Sequence, residues 1–314
     1  MTDTQTGGKC LVDILIYAPS SWGKTTQIFK LADWLYKTKG QTTRLISCSG
    51  GEYAGCDSAV GRYVEATRIE RRAAFFETLA RFCEGWWPSD AEDLNSALMP
   101  PPFLKNRFPS KPCQSDELWQ RIGLVAFDGL SEIADRLMVE CQDKQARGEN
   151  LAPDKDSMPR FRDGDTQFGN TTRGLYGLVQ SYMRRYISTS KSIPGKIVVW
   201  TALPAGGDED DGKGRVIGPD VIGNPGKARA MSRFSNVLRG ELEVNKKTKQ
   251  IVRKLYLKPQ LDEYGVLLQA KAAFPFWALD QVPESFGPDE LDPSKADTGL
   301  VRFLRLLEAA ETKD

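Results

Sequence analysis

Cys10-Leu-Val-Asp-Ile-Leu-Ile-Tyr17 runs into Ala18-Pro19-Ser20-Ser21-Trp22-Gly23-Lys24-Thr25-Thr26 and then into an amphipathic stretch from Gln27 to Lys37. The first run is short, apolar and rich in β-formers, and the last carries apolar residues at helical spacing. The order reads strand, loop, helix. Ala18 to Thr25 fits the pattern G-x-x-x-x-G-K-[ST], with Ala in place of the first Gly. In such a loop successive amide hydrogens and a helix N-terminus face phosphate oxygens, while Gly23 lets the backbone come close. Lys24 adds a mobile charge at the β and γ positions, and the Thr25 hydroxyl serves Mg²⁺. The expected phosphate-binding residues are therefore Ala18, Pro19, Ser20, Ser21, Trp22, Gly23, Lys24, Thr25 and Thr26. Ala18 is the blemish, because Ala resists a positive φ. The plain alternative is a glycine turn ahead of a helix with an exposed lysine. Trp22 is open between stacking on a base, packing on a neighbour and filling a gap.

Composition bounds the chemistry. The chain of 314 residues is 40% apolar and 27% charged, which is globular, and one large α/β unit with insertions is the default. Lys and Arg number 43 against 42 Asp and Glu, so any nucleic-acid attraction must be local. The polar start Met1-Thr2-Asp3-Thr4 and the lack of a long apolar run predict a cytoplasmic protein without a membrane partner. Six scattered cysteines with no CxxC read as reduced thiols. With zero histidines, no Ser-His-Asp system, imidazole zinc site or histidine base can exist. Carboxylates, Lys, Arg, hydroxyls and backbone must do the work.

A triphosphate site needs a second magnesium anchor. Ile122-Gly-Leu-Val-Ala-Phe-Asp128 is an apolar strand ending in an acid, which makes Asp128 that candidate beside Thr25. The next residue is Gly129, so a second acid there is missing. Glu52, just past the strand at 42–49, can polarise an attacking water and is the candidate base; a solvated loop acid is the alternative. Thr201, closing the strand Lys196-Ile-Val-Val-Trp-Thr201, is a candidate to sense the γ-phosphate or its water; a simple strand-end threonine is the alternative. With Lys24, these form the expected catalytic set.

Along the chain, a short strand at Tyr63–Ile69 precedes a helix over 70–84 with Ala73, Phe76, Leu79, Ala80 and Cys83 inward. The proline-rich stretch at about 86–119 and the polar loop at about 146–170 read as insertions. Helices are expected at 130–145 and 171–189, a long glycine-rich loop at 204–228, and a hairpin from strands 237–244 and 251–258, with 265–273 as a third strand. Alternating strands and helices predict a mainly parallel sheet flanked by helices. Charge is uneven: residues 211–258 carry twelve basic and four acidic residues, whereas 280–314 carry nine acidic and four basic. The basic segment suits a phosphodiester backbone, for which the acidic end can compete; two ordinarily solvated surfaces are the alternative.

The phosphate loop, Glu52, Phe-Asp-Gly-Leu-Ser at 127–131 and Val-Val-Trp-Thr-Ala at 198–202, in that order, resemble the RecA-like P-loop NTPase core. More narrowly they resemble phage nucleotide-binding AAA-type proteins, a group that includes RecA-like single-strand annealing proteins. The resemblance covers about 10–275 and implies an α/β RecA-like domain over 1–275, a C-terminal β-hairpin, and an acidic tail over 276–314 with a terminal helix. It also implies ATP and Mg²⁺, a homo-oligomer as ring or filament, single-stranded DNA as partner, and room for a single-strand DNA-binding protein, in host cytoplasm if phage-encoded. A neighbouring subunit would then send a cation to the γ-phosphate, with Lys227, Arg229 and Arg233 as candidates.

The expected activity is thus an ATPase acting on single-stranded DNA in recombination or replication. A non-catalytic annealing or scaffold protein that binds ATP, a DNA-packaging or helicase motor, and a P-loop kinase remain open alternatives.

Overall fold

The computed structural model describes residues 11–47, 59–68, 79–80, 82–83, 120–147, 172–205, 216–221, 230–244, 248–261, 267–292 and 294–311. Its centre is an eight-stranded sheet. In chain order the elements are β1 (Val12–Tyr17), α1 (Lys24–Lys39), β2 (Thr42–Ser47), β3 (Val64–Arg68) and β4 (Ile122–Asp128). Next come α2 (Leu130–Ala146), α3 (Thr172–Ser190), β5 (Ile197–Ala202), β6 (Val216–Ile217), β7 (Asn236–Val244) and β8 (Ile251–Tyr256). Last are β9 (Gln260–Leu261), β10 (Leu267–Leu268), β11 (Ser285–Phe286) and α4 (Leu300–Glu311).

The sheet order is β11-β8-β7-β1-β5-β4-β2-β3. From β7 to β3 every neighbouring pair is parallel, and β8 and β11 pair antiparallel at one edge. The protein is therefore α/β, with a mainly parallel sheet between helices and a hairpin near its C-terminal end. Both faces are covered, so the central strands read as continuous apolar runs, and every residue of β4 and β5 is buried. Alternation divides them. Leu15, Tyr17, Val125, Phe127, Val198 and Trp200 meet α2 and α3, with Phe127 and Trp200 stacked at 4.2 Å. Ile14, Ile16, Leu124, Ala126 and Val199 meet α1 and α4 on the other face.

The predicted helix at 70–84 lies mostly outside the described residues; Leu79 and Cys83 are buried as expected. The segment at 265–273 does not extend the hairpin's sheet order. Its β10 joins β6 and β9 in a separate three-stranded sheet, and only an isolated bridge, Val237 to Lys271, touches β7. At the base of the hairpin β7 already has β1 beside Asn236 to Arg239 and β8 has β11 beside Leu255 and Tyr256, which leaves this segment the single bridge to Val237.

The acidic end is folded onto the same sheet. β11 pairs with β8, and α4 lays Leu300, Phe303, Leu304 and Leu307 into the α1 face. Gln27 on α1 accepts the Leu300 amide hydrogen at 3.2 Å, satisfying one donor at the start of α4. Its charges are used locally. Glu308 pairs with Lys39 at 2.6 Å, and Asp297 with Arg305 at 3.4 Å. Glu308 and Asp297 thus each have a cation partner outside the basic segment.

Phe303 is fully buried and edge-on to Phe274 at 5.8 Å. Phe303→Ala should cost about 3–5 kcal/mol by urea unfolding. An unchanged midpoint would mean that α4 is not part of this core.

Candidate phosphate-binding site

The loop after β1 lies at the carboxyl ends of the parallel strands, where crevices form in such sheets. Ala18 continues the strand, giving its amide hydrogen to Ala202 O at 3.2 Å. Residues 19–22 then turn sharply, closed by Trp22 N–H to Pro19 O at 3.3 Å. Two residues take left-handed backbone, Ser21 at φ 63° and Gly23 at φ 102°. Ala18 does not, so the substitution for the first glycine meets no conformational penalty. Gly23 ends the loop and α1 starts at Lys24 without a side-chain cap and without an acid in its first turn. The free amide donors there and the positive end of the helix dipole remain for an anion.

Lys24 lies back across its own loop, donating to Ala18 O at 2.7 Å and Pro19 O at 3.1 Å. Burial lowers its pKa, and the carboxylates of Asp128 and Glu132 pull it back up. Asp128 is the centre of the site. Its Oδ2 accepts from the Thr25 hydroxyl at 2.7 Å, and its Oδ1 from the Thr201 hydroxyl at 2.5 Å. Thr201 in turn accepts the Gly129 amide hydrogen at 3.0 Å. β5 sits between β1 and β4, so Thr201 bridges the strand that carries the loop and the strand that carries the acid. Gly129 has φ 115°. A left-handed residue is needed to turn from β4 into α2, which explains why glycine, not a second acid, follows Asp128.

Trp22 is settled as a packed residue. It is 1% exposed, and its Nε1–H donates to Glu241 O at 3.1 Å and Lys254 O at 3.2 Å on the β7–β8 hairpin. Beneath its ring lies Gly240, where an added Cβ would fall 2.6 Å from both the Ala18 Cβ and the Trp22 ring. The methyl gained at Ala18 is accommodated by a methyl missing at Gly240.

Lys24, Thr25, Asp128 and Thr201 are thus brought together. Thr201 is buried, with its hydroxyl engaged by Asp128 and Gly129. Glu52, Lys227 and Arg229 lie outside the described residues. The chain leaves β2 at Ser47, directly beside Asp128, five residues before Glu52. Arg233 lies just before β7, at the amino ends of the parallel strands and so opposite the loop that follows their carboxyl ends, and it reaches Ser188 at 3.3 Å, so it serves no part of its own chain's loop. Arg239, counted in the basic segment, is 2% exposed and paired with Glu241, which removes it from any outer surface. Sequence reasoning missed Glu132, which acts on Lys24 from the first turn of α2; its spacing four after Asp128 was the available signal. It also missed Gly240, whose importance exists only through a partner 218 to 222 positions away.

No helix among the described residues is long and apolar enough to cross a membrane, and none of them forms a metal-holding cluster of three or more His, Cys, Asp or Glu. The chain matches no protein-family model and no curated protein. Among solved structures it is similar to a KaiC-like protein from the hyperthermophilic archaeon Pyrococcus horikoshii OT3, at 9% identity and a TM-score of 0.38, over 78% of this chain and 77% of that one.

Lys24 has its pKa lowered from 10.5 by folding, so the unfolded chain holds its proton more tightly. Across the window between the lowered value and 10.5, this group makes stability rise with pH. The urea midpoint of the unmodified protein should therefore climb relative to Lys24→Met as the pH approaches 10.5 from below. Parallel slopes would contradict the buried placement of Lys24.

Proposed function

We propose that this chain binds ATP with magnesium through residues 18–26 and hydrolyses it as a RecA-like P-loop ATPase. The observation that carries the reading is the contact of Thr25 with Asp128 beneath an uncapped helix N-terminus. A hydroxyl and a carboxylate in contact offer the hard oxygen donors that Mg²⁺ prefers, and the backbone amides beside them suit phosphate. Thr25 and Asp128 would hold the ion, which supplies charge neutralisation for the phosphate oxygens.

The chain's own residues then have distinct roles. Lys24 exchanges the Ala18 and Pro19 carbonyls for phosphate oxygens, a substitution that returns a buried cation to a strong anionic partner. Thr201 holds Asp128 in one orientation and so fixes the anchor without touching the ligand. Glu52 is the proposed base. Lys227, Arg229 and Arg233 are the proposed cations from a neighbouring copy in a ring or filament, which places Arg233's distance from its own loop in a consistent light. Single-stranded DNA is the proposed partner, supported by the basic residues of 211–258 that stay outside the core, such as Lys249 and Arg253.

One observation favours a second reading, in which ATP is bound but not turned over. Gly129 occupies the position after Asp128 because the turn demands it, and the Asp128 carboxylate is already shared between two hydroxyls.

Turnover measured on Lys24→Ala and Asp128→Asn, with and without single-stranded DNA, separates the readings. Hydrolysis should fall about a hundredfold or more in both variants. Equal turnover in all three proteins removes the site, whereas micromolar binding without turnover in the unmodified chain supports the non-catalytic reading.

A further inference from the structure

We propose that Trp22 is a positioning residue that couples the phosphate loop to the β7–β8 hairpin, so that nucleotide affinity and hairpin stability change together. The functional half of this inference rests on the nucleotide-binding reading. The mechanical half rests on contacts alone.

The hairpin overhangs the loop. β1 and β7 are in register up to Tyr17 and Arg239, and β7 continues to Val244. Five further residues at about 3.3 Å each carry it roughly 16 Å past the end of β1. Over this overhang β7 has only β8 beside it, and an isolated two-stranded ribbon is marginal in water. Trp22 supplies what a third strand would. Its ring covers Gly240, and its Nε1–H reaches Glu241 O and Lys254 O, which are directly opposed across the hairpin. Arg253 adds a longer contact to Ser21 O at 3.5 Å.

The side of the ribbon away from Trp22 is stiffened by its own network. Arg239 lies over the Tyr256 ring at 4.2 Å and pairs with Glu241, while Tyr256 and Lys254 both reach Glu243, at 2.7 and 2.8 Å. Burial pushes the Glu243 carboxyl up, yet the bonds from Lys254 and Tyr256 hold it below its ordinary value. A ribbon braced in this way moves as a unit, so displacement at its outer end is delivered to Trp22. Trp22 lies between the two left-handed residues that shape the loop, Ser21 and Gly23. Its displacement therefore changes the direction of the amides that would face phosphate.

Beyond Gly240, the face shared with Trp22 carries Leu242, Val244 and Ile251, exposed at 38, 60 and 70%. Among the described residues their exposure makes Trp22, with Leu255 opposite Gly240, the last buried layer along the hairpin. Linkage is reciprocal: if ATP steadies the hairpin by some factor, steadying the hairpin tightens ATP by the same factor.

Hydrogen–deuterium exchange of the full chain tests this, with Trp22→Phe keeping an aromatic ring on Gly240 while removing the Nε1–H donor together with the pyrrole part of the indole. Without nucleotide, amides of 240–254 should exchange about fivefold faster in Trp22→Phe, and the variant should bind ATP with magnesium about fivefold more weakly. In the unmodified protein ATP with magnesium should slow exchange in 240–254 as well as in 18–26. Should Trp22→Phe fail to fold, Arg253→Ala and this nucleotide-dependent protection decide. Hairpin exchange in Trp22→Phe equal to that of the unmodified chain overturns the coupling, and so does ATP protection confined to 18–26. If Lys24→Ala leaves ATP binding unchanged, the nucleotide-binding reading fails, and the nucleotide-free comparison still decides whether Trp22 ties loop to hairpin.

Discussion

One carboxylate organises the site. Asp128 accepts from Thr25 on the helix that follows the loop and from Thr201 on the intervening strand. A carboxylate that is 6% exposed must have its oxygens satisfied, and hydroxyls do this without neutralising it. The arrangement fixes the distance between the loop and the acid at the end of β4. Lys24 then finds its electrostatic counterpart within the same cluster, opposed by its own burial. Remove the strand order that puts β5 between β1 and β4, and these groups have no reason to meet.

Around this centre the fold is a sequence of mutual accommodations. Ala18 gains a methyl where Gly240 lacks one, and Gly129 gives up a side chain so that β4 can turn into α2. Gln27, buried on the inner face of α1, receives the first amide of α4. Each is a close approach between segments far apart in sequence, and interiors packed at crystal density leave little room for alternatives. The loop is accordingly held from three sides: by β5 through Ala202, by α1 through its own N-terminus, and by the hairpin through Trp22.

Much of this architecture was legible from residues alone. The run from Cys10 to Thr26 marks strand, loop and helix because period and turn chemistry change sharply there. Asp128 was legible as the end of an apolar strand, whereas the strand that carries Thr201 runs one residue further, to Ala202. What remained hidden depended on partners distant in sequence. Nothing local distinguishes Trp22 as a strap from Trp22 as a stacking platform, and Gly240 reads as an ordinary weak point in a strand. The pairing of Leu267 and Leu268 with β6 and β9 depends on segments distant in sequence, which a single strand cannot report. The C-terminal acids looked like a solvated tail by charge, whereas the apolar spacing of Leu300, Phe303, Leu304 and Leu307 governs where they lie. Burial outweighed charge in placing that segment.

The central claim is that the turn from Ala18 to Thr25 is built for a triphosphate, with Lys24 held in reserve on its own carbonyls. A crystal structure with a non-hydrolysable ATP analogue and magnesium measures this directly. The account predicts phosphates against the amides of residues 20–25 and the Lys24 ammonium withdrawn from Ala18 O and Pro19 O toward them. An analogue bound elsewhere, or Lys24 still resting on those two carbonyls beside a bound triphosphate, would contradict it.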